Sequence, residues 1–173
     1  MLYFCTMPSE DETDRLVEEC EEAYGQKQKD WPLVLQRLAK FAPEEIQQRN
    51  WEFWNEVAWA GLTELPADSP ERDLKLLLKY AERAVKLSNC TEGTSLDTLA
   101  RAHWELGDKV KAIEVQREAV TRSDIELKWK SEGQWKRVHA EIEATLQLYE
   151  SLPAGAALPK AAAPDTPAPT PNP

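Results

Sequence analysis

Two short helical segments joined by a single glycine occupy the middle of this chain, between Ser95 and Val120. In the first segment, a spacing of three and four residues predicts that four side chains share one face of a helix: Leu96, Leu99, Ala100 and His103. Gly107 stands where a helix end favours a left-handed residue, and Asp108 is placed to cap the amides of the second helix. Because the connection is so short, we expect the two helices to run antiparallel.

The second segment presents small side chains toward the first. Ala112, Gln116 and Ala119 fall on one stripe of this helix, and Ile113 and Val120 fall on the neighbouring stripe. Small residues at a helix contact let the two backbones approach closely. The segment is therefore predicted to be a tightly packed helix-turn-helix unit.

These residues together resemble the tetratricopeptide repeat. The matching positions are Leu96, Leu99, Ala100, His103, Ala112 and Ala119. The chain departs from the family pattern at His103, where Tyr is usual, at Gln116, where an aromatic is usual, and at Asp124, where Pro is usual. The resemblance implies an all-α fold, a short right-handed solenoid of antiparallel helix pairs, and a role in binding or assembling other proteins.

A second, looser copy of the unit lies upstream. Residues 54–58 parallel residues 96–100, and residues 80–87 parallel the segment that ends at Val120. Two prolines in the connection, Pro66 and Pro70, forbid a continuous helix through it. Ser69, Pro70 and Glu71 follow the residue preferences of a helix start, which predicts that the next helix begins there.

The upstream copy and the clear repeat together are also similar to repeat segments that follow thioredoxin-like domains in some bacterial proteins. That resemblance implies an alternative role as an accessory or regulatory fragment of a redox system. The chain has no Cys-x-x-Cys motif, and Cys5, Cys20 and Cys90 are too scattered for metal or redox chemistry. We interpret them as reduced thiols.

The ends of the chain complete the predicted organisation. Ser9 with Glu12 forms a capping box for an acidic helix that ends at Gly25, and a second helix is predicted from Asp30 to Phe41. A final capping helix is indicated by one apolar stripe: Trp135, Val138, Ile142, Leu146 and Tyr149. The predicted divisions are a short lead at 1–8, a helical domain at 9–151 and a disordered tail rich in Pro and Ala at 152–173. Whether two or three helix pairs stack stays open.

Composition limits the classes of partner. The 173-residue chain carries a net charge of −10, which disfavours general binding to nucleic acids or anionic membranes. The apolar start has no basic lead and is too short for a secretory signal, and no apolar run approaches a membrane-spanning length. We therefore expect a cytoplasmic protein with no membrane partner.

The partner-binding candidates lie at outward positions of the first helix of each predicted pair. Those helices line the concave surface in the tetratricopeptide family, and the candidates here are Asn55, Trp59, Asp97, Arg101 and Glu105. Two alternatives stay open: these positions are simply solvated, and Trp59 is part of the core rather than a binding anchor. Asn55 alone fits the Lys and Asn clamp with which some family members hold a terminal carboxylate, so binding of chaperone tails is disfavoured.

Other chemistry has weaker support in the sequence. One basic and aromatic cluster could bind single-stranded nucleic acid, although its residues also suit a packed helix pair: Lys128, Trp129, Lys130, Trp135, Lys136, Arg137 and His139. No catalytic, phosphate-binding or metal-binding motif is present. We therefore expect no enzymatic activity, cofactor, metal or small-molecule substrate. The sequence predicts a scaffold that binds a protein or peptide. The identity of that partner does not follow from the sequence.

Overall fold

The computed structural model describes residue 15 and residues 31–41, 47–48, 50–129, 133–153 and 156–158. This part of the chain contains six helices and no strand, so the fold is all-helical there. The helices are α1 (Trp31–Phe41), α2 (Trp51–Thr63), α3 (Leu74–Leu87), α4 (Gly93–Glu105), α5 (Lys109–Trp129) and α6 (Gly133–Ser151). Apart from Arg15, which is helical, the acidic helix predicted from Ser9 to Gly25 lies outside the described residues.

The helices pack as an array. Each contacts the next along the chain, and α2 also contacts α4, which in turn contacts α6. Two apolar clusters form the interior. The first surrounds Trp54 and Leu77 between α1, α2 and α3. The second surrounds Trp104 and Tyr149 between α4, α5 and α6. None of the described helices is long and apolar enough to cross a membrane.

Two helices in contact, α4 and α5, are present where the sequence predicted them between Ser95 and Val120. Leu96, Ala100, Ala112 and Ala119 are buried, and Leu99 and His103 are half-buried. Gly107 has a φ of 84°, the left-handed conformation predicted for the helix end. The Asp108 carboxylate accepts a hydrogen bond from the Lys111 amide at 3.0 Å, which confirms the predicted cap. Burial lowers the pKa of His103, so this packed imidazole favours its neutral form.

A close contact near Gly61 joins α1, α2 and α3. The buried Gln36 side chain of α1 donates a hydrogen bond to the Val57 carbonyl at 2.7 Å. A Cβ atom at Gly61 would lie 2.3 Å from Leu77 Cδ2 and 2.9 Å from Gln36 Nε2. The absent side chain at this position therefore allows three helices to meet.

Substituting Gly61 by Ala is expected to lower the free energy of unfolding by about 1–3 kcal/mol, since Leu77 is buried and cannot move without disturbing the core. Urea unfolding followed by circular dichroism measures the change. Gly133→Ala is the matched control, because a Cβ at Gly133 meets nothing within 4 Å. Equal stability of the two variants would contradict the proposed packing around Gly61.

Helix α3 begins later than predicted. It starts at Leu74 rather than at Pro70, and Asp73 caps it by accepting hydrogen bonds from the Lys75 and Leu76 amides. The Ser69 hydroxyl instead donates to the Glu71 carboxylate at 2.9 Å within a turn, and this hydrogen bond lowers the pKa of Glu71. Residues 69–72 remain in a turn that directs Arg72 toward α2 and α4.

The segment after α6 is packed where the sequence predicted a disordered tail. Leu152, Ala156 and Leu158 contact the second apolar cluster. The Trp104 indole donates a hydrogen bond to the Ala156 carbonyl at 3.0 Å, and the Lys109 ammonium donates to the Leu152 carbonyl. For these three residues the prediction was wrong, because contacts with α4 and α5 offset the cost of ordering. Residues 159–173 lie outside the described part of the chain.

Candidate partner-binding face

Asp97, Arg101 and Glu105 lie on successive turns of α4, and their spacing of four places them on one side of the helix. We call these three residues the α4 stripe. Arg101 donates to Glu105 Oε1 from Nε and Nη2, both at 2.8 Å. Arg72, from the turn before α3, contacts Glu105 Oε2 at 2.9 Å and donates to the Leu62 carbonyl at 3.2 Å. One carboxylate thus holds two guanidinium groups, and the three side chains are only partly exposed.

Asp97 has a different environment from the ion pairs beside it. Its Oδ1 accepts a hydrogen bond of 2.5 Å from Gln116 Nε2, and the same nitrogen donates to the Ile142 carbonyl at 3.0 Å. Within the described residues no cation forms a salt bridge with Asp97. Burial raises the pKa of Asp97 to about 6, against the lowering effects of Gln116 and Arg101. The carboxylate is half-buried and lacks a full counter-charge.

Two polar atoms beside the α4 stripe are buried without a hydrogen-bond partner among the residues that the structure describes. They are Gln116 Oε1 and the Tyr149 hydroxyl oxygen, and both side chains are fully buried. The Tyr149 ring stacks on Trp104, with 4.6 Å between ring centroids and 8° between planes. Burial also raises the pKa of Tyr149, with the Asp97 charge adding to the effect, so the phenol stays neutral.

The two candidate residues on α2 are not bonded to the α4 stripe. Over the described ranges no hydrogen bond or ion pair joins Asn55 or Trp59 to Asp97, Arg101 or Glu105, although α2 and α4 are in contact. Asn55 Oδ1 is buried without a hydrogen-bond partner there. Trp59 is half-buried, which leaves part of its ring exposed at the surface. Nearby on the same helix, burial raises the pKa of Glu56.

Three residues of this region were not among the sequence candidates: Arg72, Gln116 and Tyr149. Gln116 carried a signal, because it stands where the repeat pattern calls for an aromatic and a buried amide requires polar neighbours. Tyr149 was predicted as a core residue, but its hydroxyl position could not be. No sequence pattern marked Arg72, since its contacts depend on the path of the turn before α3.

The described part of the basic and aromatic cluster includes both packed and exposed side chains. His139 Nδ1 lies 2.8 Å from Ser123 Oγ, and His139 Nε2 lies 3.4 Å from Asp124 and 3.5 Å from Glu143. Trp135 is half-buried, whereas Lys128, Lys136 and Arg137 are exposed. Lys130 and the Trp129 side chain lie outside the description.

The residue types of a hydrolase triad occur here, in Ser123, His139 and the neighbouring carboxylates. Their geometry is that of packed helices and not that of a catalytic site. Ser123 is buried within α5, and its hydroxyl donates to the Val120 carbonyl at 2.9 Å. A nucleophile needs an exposed hydroxyl and nearby amide donors for the oxyanion, whereas amides in the middle of a helix are bonded to carbonyls. The described residues also hold no group of three or more His, Cys, Asp or Glu suited to a metal ion.

The raised pKa of Asp97 predicts a pH-dependent gain in stability for Asp97→Asn. Because the folded state binds a proton more tightly than the unfolded state, ionisation of Asp97 destabilises the fold as pH rises from about 4 through 6. Asparagine retains an oxygen for Gln116 without the charge. We expect Asp97→Asn to raise the free energy of unfolding at pH 7.5 by on the order of 1 kcal/mol, reduced from the full linkage value by remaining solvent contact.

Urea unfolding of both proteins between pH 4 and 8 measures this gain, which should shrink as pH falls below 6. Glu114→Gln, at a carboxylate on the outer side of α5, serves as the control for lost negative charge. A gain that is the same at pH 4.5 and pH 7.5 would contradict the assignment to Asp97 ionisation.

Comparison of the chain with protein-family models, curated proteins and solved structures finds no match. The fold and the α4 stripe are therefore the basis for any functional assignment. They define the chain as an all-helical array over its described residues.

Proposed function

We propose that this protein is a non-catalytic interaction module of the tetratricopeptide kind, with α2 and α3 as one antiparallel pair, α4 and α5 as the next, and α6 as the cap of a short right-handed solenoid. The packing order supports this arrangement. Besides the contacts between consecutive helices, α2 touches α4 and α4 touches α6, as first helices of stacked pairs do. A partner segment would lie across the exposed sides of α2 and α4.

The observation that carries the proposal is the incomplete hydrogen bonding around these helices. Asn55 Oδ1, Gln116 Oε1, Arg72 Nε and the Tyr149 hydroxyl are all buried without a partner in the described part of the chain. A buried polar group in this state costs about 1–3 kcal/mol, so native proteins contain few of them. Arg72 and Gln116 bond directly to the α4 stripe, and their unpartnered atoms favour a surface that is completed by bound water or by a partner's polar groups.

Trp59 gives the face an apolar anchor. Aromatic side chains dominate the energetics of protein interfaces because they bury a large area with little loss of conformational freedom. A half-buried ring has its position fixed by the helix while part of its surface remains for a partner. The proposed face therefore combines Trp59 on α2 with the charged residues of the α4 stripe.

Peptides selected from a random display library on the full chain should depend on Trp59. We expect Trp59→Ala to weaken their binding by about thirtyfold, which corresponds to an interface residue worth about 2 kcal/mol. Fluorescence anisotropy with labelled peptides gives the dissociation constants, and circular dichroism verifies that the variant is folded. The matched control is Arg122→Ala, at a partly exposed position on α5.

Either of two results would overturn the proposal. Selected peptides could bind the folded Trp59→Ala variant as well as the original chain, which would place the interface elsewhere. Repeated selections could also yield no peptide that binds the folded chain, which would remove the basis for an interaction module.

A further inference from the structure

Asp97 and Gln116 together present hydrogen-bond acceptors, and no basic side chain of the described residues forms a salt bridge with Asp97. Resting on the function proposed above, we infer that this pair binds a basic side chain of the partner segment, a primary ammonium or a guanidinium group. The inference gives the partner a chemical class, namely a segment carrying Lys or Arg at the point where it crosses the middle of α4.

The charged groups near Asp97 are paired with one another and not with Asp97. Arg101 and Arg72 both bond to Glu105, so neither guanidinium is engaged with Asp97. The group that α6 contributes is Glu141, a carboxylate close enough to raise the pKa of Asp97 further. Arg137 lies only at 4.0 Å from Glu141, on an exposed part of α6. Three carboxylates, those of Asp97, Glu105 and Glu141, thus stand among three guanidinium groups, none of which forms a salt bridge with Asp97 within the described residues.

The hydrogen-bonding capacity of the pair matches a donor and not an acceptor. Gln116 Nε2 uses its hydrogen atoms on Asp97 and on the Ile142 carbonyl, which fixes the orientation of the amide. Oε1, on the same amide carbon, is buried and without a partner among the described residues. An ammonium group offers three donors and a guanidinium five, whereas a carboxylate or phosphate offers no donor to the oxygens of Asp97 and Gln116.

The electrostatics of Asp97 agree with this geometry. Burial raises the pKa of Asp97 to about 6, because the hydrogen bond from Gln116 and the charge of Arg101 offset the loss of solvation only in part. A bound cation would supply that compensation, so binding should strengthen as pH rises through 6 and Asp97 ionises.

The probe is acetyl-Ala-Ala-Lys-Ala-Ala-amide, titrated into the isotope-labelled full chain at pH 7.5 and followed by the NMR signals of the Gln116 side-chain amide. We expect saturable shifts of these signals, the same response to the Arg peptide, and none to peptides with norleucine or glutamate at the centre. Asp97→Asn should weaken binding of the Lys peptide on the order of tenfold, and lowering the pH to 5 should weaken it in the original chain.

Glu114→Gln is the matched variant, since it removes one carboxylate from the outer side of α5 and should change the affinity less than twofold. The inference fails if the norleucine peptide produces the same shifts, if both variants weaken binding equally, or if the Gln116 signals do not move. These outcomes are distinct from failure of the proposed function. Display-selected peptides that depend on Trp59 but bind Asp97→Asn unchanged would refute the inference alone.

Discussion

Trp54→Ala is expected to lower the free energy of unfolding by about 3–5 kcal/mol, enough to remove much of the stability of a domain of this size. Trp54 is 1% exposed and lies between three neighbours. Its ring centroid is 5.1 Å from that of Phe53 and 5.1 Å from that of Tyr80, and the Arg83 guanidinium carbon lies 4.4 Å above it. Alanine would leave a large cavity between α1, α2 and α3.

Trp54→Phe is the matched control. The indole Nε1 is buried without a hydrogen-bond partner in the described residues, so its removal breaks no bond while most of the ring volume remains. We expect a loss of about 1–2 kcal/mol for this variant, measured by urea unfolding alongside Trp54→Ala. Equal losses for the two substitutions would show that the volume filled by the aromatic ring does not determine stability at this position.

Ala100→Trp is the second change with a large expected effect. Ala100 is fully buried where α4 meets α5, and the small side chains of Ala112 and Ala119 are buried in the same cluster. An indole cannot fit without separating the helices, so we expect a loss of more than about 3 kcal/mol. Thermal unfolding followed by circular dichroism measures the change.

Ala140→Trp introduces the same side chain at an exposed alanine of α6 and should leave the midpoint of thermal unfolding within a few degrees. If Ala100→Trp kept the midpoint of the original chain, the register assigned to α4 and α5 would be wrong.

Local patterns predicted the parts of the fold that depend on neighbouring residues in the chain. Gly107 and Asp108 were recognised because a left-handed helix end and an N-terminal cap each involve only a few adjacent positions. The stripe on α6 was likewise visible from spacing, and its members Ile142 and Tyr149 are buried. The all-helical class followed from the same periodicity.

Features that depend on distant contacts were missed. The start of α3 was placed at Pro70 because the local pattern was favourable, whereas Arg72 bonds to Leu62 and Glu105 and residues 69–72 form a turn. The packed Ala156 was assigned to a disordered tail, since no sequence pattern shows that Trp104 donates a hydrogen bond to its carbonyl. Contacts of this kind are set by tertiary packing.

The candidate face was predicted in part. The sequence placed Asp97, Arg101 and Glu105 on one side of a helix, and the structure has them there. It could not show that Arg101 and Arg72 share one carboxylate or that Gln116 reaches Asp97 from α5, because both depend on how the helices are aligned. The role of these residues in binding stays a prediction, as does that of Asn55 and Trp59.

The most direct test of the proposed interface is chemical-shift mapping of the labelled full chain during titration with a display-selected peptide. We expect the largest changes on α2 and α4, at Asn55, Trp59, Asp97 and Arg101, with the Gln116 side-chain amide moving alongside them. Changes concentrated instead on the outer side of α5, around the exposed Val110, or on the basic residues of α6 would contradict the proposed interface on α2 and α4.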